Sequence, residues 1–431
     1  MKRVVVTGIG LVSPLGLGQV ATWENLLAGK SGIAPVRSFD ASGFECSIAG
    51  EVPAYKIGDH VPKSYRKATK VMARDIELAV IAADDAMKDA GLQTKAYADP
   101  SPIQSLRFGC NIGAGLISAE LNELSSAMNI ARDDAGGLDL GKWGTAGMGS
   151  LTPLWLLKYL PNMLACHVTI IHGLMGPSNT ITCAEASSHL AIGEAYRTVQ
   201  RGKAELAICG GAESRVNPMG QIRLQLLGRL NKTYNDSPAD ALRPFDIEAA
   251  GSVTGEGGGL LILEEYEHAK ARGAKIYAEL VGFGASQDAT GPYEPDPTGH
   301  SYGRAIASAL RDAKLNTGDV DLIVPHGLGV AKFDRAELNG LKKAFGDGLA
   351  KPYFAPVKAQ IGNLVAGNGV DAATAVLSIA TGKVAPAINT KSIGDAKLNV
   401  ATTARDAKID VAITSTYSLG GQNAALVFKK V

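Results

Sequence analysis

GPSNTITCAEASSHLAIGEA, the stretch from Gly176 to Ala195, changes its periodicity half-way along. Asn179 to Thr182 is a β-rich run, Cys183, Ala184 and Glu185 form a sharp turn, and Leu190, Ile192 and Ala195 recur at helical spacing. Such a strand–turn–helix elbow holds one side chain at a helix N-terminus, where unpaired N–H groups and the macrodipole favour negative charge. Acyl-transfer enzymes place a nucleophile at such a turn, because the same field stabilises a thiolate. The residue at the apex therefore decides which chemistry is open to the chain.

The remaining composition narrows the class. A chain of 431 residues with 46% hydrophobic and 20% charged residues can bury a large core, as two domains or one duplicated fold. Lys plus Arg (43) balances Asp plus Glu (42), so no global field points to nucleic acid or an anionic membrane. Cys46, Cys110, Cys166, Cys183 and Cys209 lack ligand-like spacing, which argues for a reducing cytoplasm and against a disulfide framework or a metal site. The apolar start at Val4–Val6 is too short for a signal peptide, and Leu151–Met175 is interrupted by Pro153, Lys158, Pro161 and Asn162. No segment reads as a membrane span, and the expectation is a soluble, cytoplasmic protein.

Outward from the elbow, Val4–Gly16 reads as a strand and a glycine-rich turn; without a GxGxxG and with Pro14 in place, it is a poor phosphate loop. Lys63–Ala90 reads as one helix whose apolar face carries Val71, Ile76, Ala79, Val80 and Ala83. Its start is basic, through Lys63, Arg66, Lys67, Lys70 and Arg74: a solvated face, or a dock for an acidic partner. Arg107–Gly115 and Glu205–Ser214 read as strands, Asn129–Gly149 as a mobile loop, and Gln221–Asp246 as loop-rich. A loose internal echo links VVVTGIG to AELVGFG (Ala278–Gly284), and ELAICGGAES to DVAITSTYSLGG (Asp410–Gly421). Alternating strands and helices imply parallel sheets packed by helices, in two related halves around one central site.

Taken together, VVVTGIGLVSPLG, PNMLACHVTIIHGLMGPS, AICGGAES, RPFD, LEEYEHAKARGAKIYAELVGFG, His326-Gly327, the Lys358 region and the closing SLGGQNAALVFKK cover nearly the whole chain. In them the sequence resembles the β-ketoacyl-acyl carrier protein synthases of the thiolase superfamily, of the elongating II-type. The resemblance implies an α/β protein with the duplicated thiolase-like αβαβα fold, its halves at 1–265 and 266–431, and a dimer. It also implies a Cys–His–His set, with backbone N–H groups holding the acyl oxyanion. No cofactor is expected to be bound; the phosphopantetheine arm of an acyl carrier protein serves as the substrate arm.

Carried over residue by residue, the resemblance puts Glu185 at the nucleophile position, whether counted forward from Gly176-Pro177 or back from Ile192-Gly193. It retains the first histidine as His326 and the lysine as Lys358, and turns the second histidine into Asn363. Leu419, Gly420 and Gly421 form the oxyanion and gate loop, with Leu419 in place of a phenylalanine. Arg66, Lys67 and Lys70 match the region that receives the acidic carrier. An asparagine amide can still donate to a developing enolate oxygen, whereas a carboxylate is a poor acceptor in thioester exchange. Cys183 lies two residues early, roughly 6–7 Å along the strand from the apex, and reads as filler. His167, His172 and His189 read as structural.

Three roles fit these departures. The chain resembles chain length factors, which keep the fold, lose the cysteine and pair with an active ketosynthase. It also resembles ketosynthase-like domains that decarboxylate malonyl-carrier. An atypical condensing enzyme using Glu185 as a base is the third. A structural homodimer without carrier protein is the bland alternative.

Overall fold

The computed structural model describes residues 1–394 and 397–431. The strands are β1 (Val4–Ser13), β2 (Phe108–Ala114), β3 (Ser178–Ile181), β4 (Leu206–Ser214), β5 (Glu256–Glu265) and β6 (Ala278–Gln287). The chain continues through β7 (Leu322–Val324), β8 (Tyr353–Phe354), β9 (Asn399–Val400), β10 (Val411–Tyr417) and β11 (Gln422–Lys429). They form one sheet in the order β9-β8-β7-β10-β11-β6-β1-β5-β4-β2-β3, with Gly16–Leu17 as a hairpin on β1. The order reads alike outward from its middle, β1-β5-β4-β2-β3 on one side and β6-β11-β10-β7-β8 on the other. The sequence echo of β1 with β6, and of β4 with β10, falls on these equivalent places.

The halves meet in a short antiparallel pairing, Val5 opposite Glu279 and Val6 opposite Ala278. The sheet is mixed rather than parallel: β1, β5, β4, β6, β11 and β10 pair antiparallel, and only the outer strands pair parallel. Of these antiparallel pairs only β10 and β11 are joined by a tight turn; β4 and β5 pair antiparallel across a long connection that contains a helix of its own.

Six helices complete the layers: α1 (Arg74–Asp89), α2 (Met163–His172), α3 (Ser187–Gln200), α4 (His300–Ala313), α5 (Ala331–Phe345) and α6 (Gly369–Thr381). Ile192 and Val199 of α3 and Val370 and Val376 of α6 share one core cluster with Val6, Leu280 and Leu426, strand residues from both halves. α6 is buried almost all round, as expected of a helix enclosed between sheet layers. Outside lie α1 and α2 against β2, β4 and β5, and α4 and α5 against β7, β10 and β11. The result is five layers, αβαβα.

Two expectations are corrected. Lys63–Ala90 is not one helix: Lys63–Val71 is a 3-10 turn without a buried residue, Met72 and Ala73 are extended, and α1 begins at Arg74. Like charges three and four residues apart, with no apolar face to bury, do not sustain an α-helix. Asn129–Gly149 is ordered: a helix runs over Leu121–Ile130, and Asp139 accepts from the N–H groups of Gly141 (2.8 Å) and Lys142 (3.0 Å) to start another turn. Here Asp and Gly are caps. Gln221–Asp246 is loop-rich from Leu227 onward, as expected, its first residues closing a helix, Pro218–Leu226, capped by Asn217 and opened by Pro218.

Close backbone approach fixes α3 on the sheet. A Cβ on Gly113 of β2 would lie 2.5 Å from the Ser187 carbonyl carbon and 2.6 Å from the Ser188 nitrogen. Gly113→Ala is therefore expected to cost roughly 1–3 kcal/mol in urea unfolding, because backbone must move. Gly348→Ala, with nothing within 4 Å, is expected to leave the midpoint unchanged.

Candidate active site

The elbow forms where the sequence places it. β3 ends at Ile181, a 3-10 turn covers Ala184–Ala186, and α3 starts at Ser187. Ala184 takes φ +43°, the left-handed region that non-glycine residues avoid, so strain sits at the apex. Two contacts hold it: the Ser187 hydroxyl accepts from the Cys183 N–H at 2.8 Å, and the Ser188 hydroxyl donates to the Ala366 carbonyl.

Glu185 follows Ala184 and is only 2% exposed. Its Oε2 accepts from the Leu419 N–H at 3.3 Å, and its Oε1 lies 3.5 Å from Arg229 Nη1. Its main-chain carbonyl accepts from Asn368 Nδ2 (3.2 Å) and from the Thr416 hydroxyl (3.3 Å). Arg229 is buried as well, with its guanidinium carbon 4.1 Å from the centre of the Phe333 ring. A buried carboxylate is thus matched by one buried guanidinium, one backbone donor and a helix N-terminus. Among the described residues, Arg229 Nη2 has no hydrogen-bond partner.

His326 is fully buried, its ring 4.7 Å from that of Tyr417. Burial, then the charges of Lys358 and Arg229, hold its pKa well below the ordinary histidine value, so the imidazole is neutral at pH 7. Nδ1 lies 3.3 Å from the Thr416 hydroxyl and 3.5 Å from Asn368 Nδ2. Nε2 has no hydrogen-bond partner among the described residues.

Two carboxyl groups on α5 fasten the His326 loop. Glu337 accepts from the N–H groups of His326 (2.7 Å) and Gly327 (2.9 Å), and Asp334 from those of Phe245 (2.7 Å) and Gly329 (3.1 Å). Burial pushes Asp334 up to about 8 and Glu337 up to about 7.

The structure brings Glu185, His326 and the Leu419 N–H together. Lys358 stands behind them: its Nζ is 2.6 Å from Asp371 Oδ2 in a buried pair, and it reaches His326 through charge. Asn363 turns its Oδ1 to the Val365 N–H at 3.2 Å, and the amide that reaches His326 is Asn368. Gly420 and Gly421 take φ +88° and +86°, which shapes the loop that presents the Leu419 N–H. Arg66, Lys67 and Lys70 are exposed on the 3-10 turn. His167, His172 and His189 bond to Tyr65, Thr94 and Thr414, as structural histidines do. Cys183 is half-buried, and burial pushes its thiol pKa up. The sequence reading missed Arg229, Asn368 and Thr416. Asn368 lies in the glycine-rich run AGNG and was open to notice, whereas nothing around Arg229 marks a buried charge.

Comparison with known proteins fits this geometry. The N-terminal domain of β-ketoacyl synthase matches residues 1–269, and the C-terminal domain matches 277–391. The chain is 35% identical to the 3-oxoacyl-[acyl-carrier-protein] synthase 2 of Vibrio harveyi over 435 residues, covering 100% of this chain and 99% of the relative. A chain of the ishigamide ketosynthase/chain length factor superimposes with TM-score 0.85 at 28% identity, covering 100% and 99%. A type II PKS acyl-carrier protein in complex with its hexaketide-bound ketosynthase contains a chain that does so with TM-score 0.83 at 27% identity, covering 100% of both chains. The chain belongs to the β-ketoacyl synthase family.

Two outcomes follow from the charges. Glu185→Ala leaves the Arg229 guanidinium buried and unpaired, and is expected to cost about 3–5 kcal/mol; Glu185→Gln with Arg229→Met is expected to recover most of it in the same denaturation assay. For the α5 carboxyls the folded pKa is raised above the unfolded one, so their stabilisation is complete at low pH and is lost as pH rises through the folded value. Burial lowers the pKa of His167, His172, His189 and His326, so above pH 7 these four are neutral in both states. The unfolding midpoint is therefore expected to fall from pH 7 to pH 9, and Asp334→Asn to flatten that fall.

Proposed function

We propose that this chain is a non-condensing partner subunit of an active ketosynthase in acyl-carrier-dependent fatty acid or polyketide synthesis, in the manner of a chain length factor. One observation carries the reading: at the elbow where the family resemblance puts the acyl-accepting cysteine, the side chain is the carboxylate of Glu185. Its Oε2 takes up the Leu419 N–H, and its Oε1 is engaged by Arg229. A thioester arriving there meets no thiol, and the backbone donor suited to its oxyanion already has an acceptor.

Two further features support a partner role. β3 is a sheet edge paired on one side only, to β2. Among the described residues, eleven of the nineteen exposed large apolar side chains lie between 116 and 175, including Ile170 on the helix before β3 and Met175 in the connection to it. Apolar surface concentrated beside an open strand edge suits a second subunit. The likeness to a ketosynthase/chain length factor and to a carrier-bound ketosynthase agrees with an acyl carrier protein and a ketosynthase as partners. Exposed Arg66, Lys67 and Lys70 suit an acidic carrier.

A second reading, decarboxylation of malonyl-carrier to acetyl-carrier and carbon dioxide, is favoured by the neutral His326, whose Nε2 is without a partner among the described residues and in its N–H tautomer can hold an enolate oxygen. Condensation with Glu185 as a base finds less support, because Arg229 and the Leu419 N–H already engage its two oxygens. A structural homodimer without carrier leaves the exposed basic turn without a use.

Intact-mass spectrometry of malonyl-carrier protein incubated with the chain alone is expected to leave the malonyl group untouched. Elongation is expected only when an active ketosynthase is added, with the two proteins running as one complex by native mass spectrometry. Acetyl-carrier formed by the chain alone would put the second reading in place of the first.

A further inference from the structure

The charges of α5 are divided between its two sides. Lys332, Arg335, Lys342 and Lys343 are exposed, whereas its acidic residues, Asp334 and Glu337, are buried. At 3.6 residues per turn the four cations fall within about 100° of one side, over roughly 16 Å of helix. Among the described residues only Lys332 of these four has an ion-pair partner, Glu294 at 2.7 Å. The chain therefore leaves a stripe of positive charge largely uncompensated.

Beside the stripe lies a cavity of about 440 Å³, lined by Arg335 and Lys342 together with Phe245, Ile247, Leu338 and Ile393. Ile247 is 68% exposed, so part of this wall is apolar surface facing water. The wall opposite α5 is tied in place. Asp246 accepts from the N–H groups of Glu248 (2.9 Å), Lys391 and Ser392 (2.7 Å each), and the Ile247 N–H donates to the Ser392 carbonyl at 2.8 Å. Both acids of the lining thus have their oxygens engaged by backbone N–H groups, Asp246 here and Asp334 at Phe245 and Gly329. Burial also pushes Asp334 up to about 8, which leaves it uncharged at pH 7.

From this face we propose that α5 docks an acidic amphipathic helix of a partner protein, with its carboxylates along the cations and one apolar side chain in the cavity. Lys332, Arg335, Asn339 and Lys342 stand at i, i+3, i+7 and i+10. A second helix laid alongside has the same pitch, so carboxylates at the same spacing meet each of them in turn. The apolar cavity supplies the anchor that charge alone lacks, since exposed ion pairs contribute little and a seated side chain carries most of such an interface. This surface is separate from the basic turn at Arg66–Lys70, which leads into α1 in the other outer layer, and from the β3 edge. The inference does not depend on the partner-subunit reading.

The test uses the full chain and a synthetic helical peptide with Glu at i, i+3, i+7 and i+10 and one leucine beside that stripe, followed by fluorescence anisotropy at about 0.1 M salt. Saturable binding of one peptide per chain is expected. Arg335→Glu with Lys342→Glu is expected to weaken it at least roughly tenfold, and the milder Arg335→Gln with Lys342→Gln to weaken it in the same direction. Replacing the peptide leucine by alanine is expected to weaken binding roughly tenfold as well. Arg66→Glu with Lys70→Glu, in the other outer layer, is expected to leave the affinity unchanged. All these side chains are exposed, and thermal melts check that each variant is folded. Absence of saturable binding to wild type overturns the inference. So does an equal loss in the Arg66/Lys70 variant, or an affinity indifferent to the leucine, since either leaves only non-specific attraction between charges.

Discussion

The geometry of this protein depends on how closely α3 lies against the sheet. Gly113 allows Ser187 and Ser188 to sit on β2, and Gly211 of β4 allows the Ser188 hydroxyl to reach the Ala366 carbonyl. That approach sets the head of α3 under the Leu419 N–H and beside Asn368 and Thr416, which arrive from the other half of the chain. Moving the helix by one side-chain radius would separate Glu185 from every one of them. Elbow, glycines and C-terminal loop are therefore one device assembled from distant stretches.

Within that device the Glu185–Arg229 pair is the unusual element. Two buried charges are costly to take out of water, and their mutual attraction compensates only when hydrogen bonds finish the job. Glu185 has such help from a backbone donor and a helix terminus, while Arg229 has the face of Phe333 and one unused N–H group. The imbalance lies on the arginine side.

Much of this was legible in the sequence for definite physical reasons. The elbow showed because periodicity switches from two to helical spacing within Asn179–Ala195, and the sheet symmetry showed because β1 and β6 carry similar glycine-punctuated apolar runs. Errors arose where residue types have two uses. Asp139 read as a loop residue but caps a helical turn, and the apolar residue Val71 closes a basic turn that never becomes an α-helix. Arg229 was illegible because its burial depends on Glu185 and Phe333, 44 residues before and 104 after it in the chain, and no local pattern encodes such a meeting. Asn368 was overlooked because attention went to Asn363, five positions earlier, whose side chain serves its own turn.

The open edge of β3 bears on how the chain exists in solution. Its outer N–H and C=O groups, with the apolar side chains around them, make a template on which any extended segment can pair. A surface of that kind ties stability to mass action: the folded chain gains free energy with the logarithm of the concentration of whatever covers the edge. Synthesised in excess over its cover, such a chain drifts toward aggregation. Matched stoichiometry, rather than intrinsic fold strength, then governs how much of it persists.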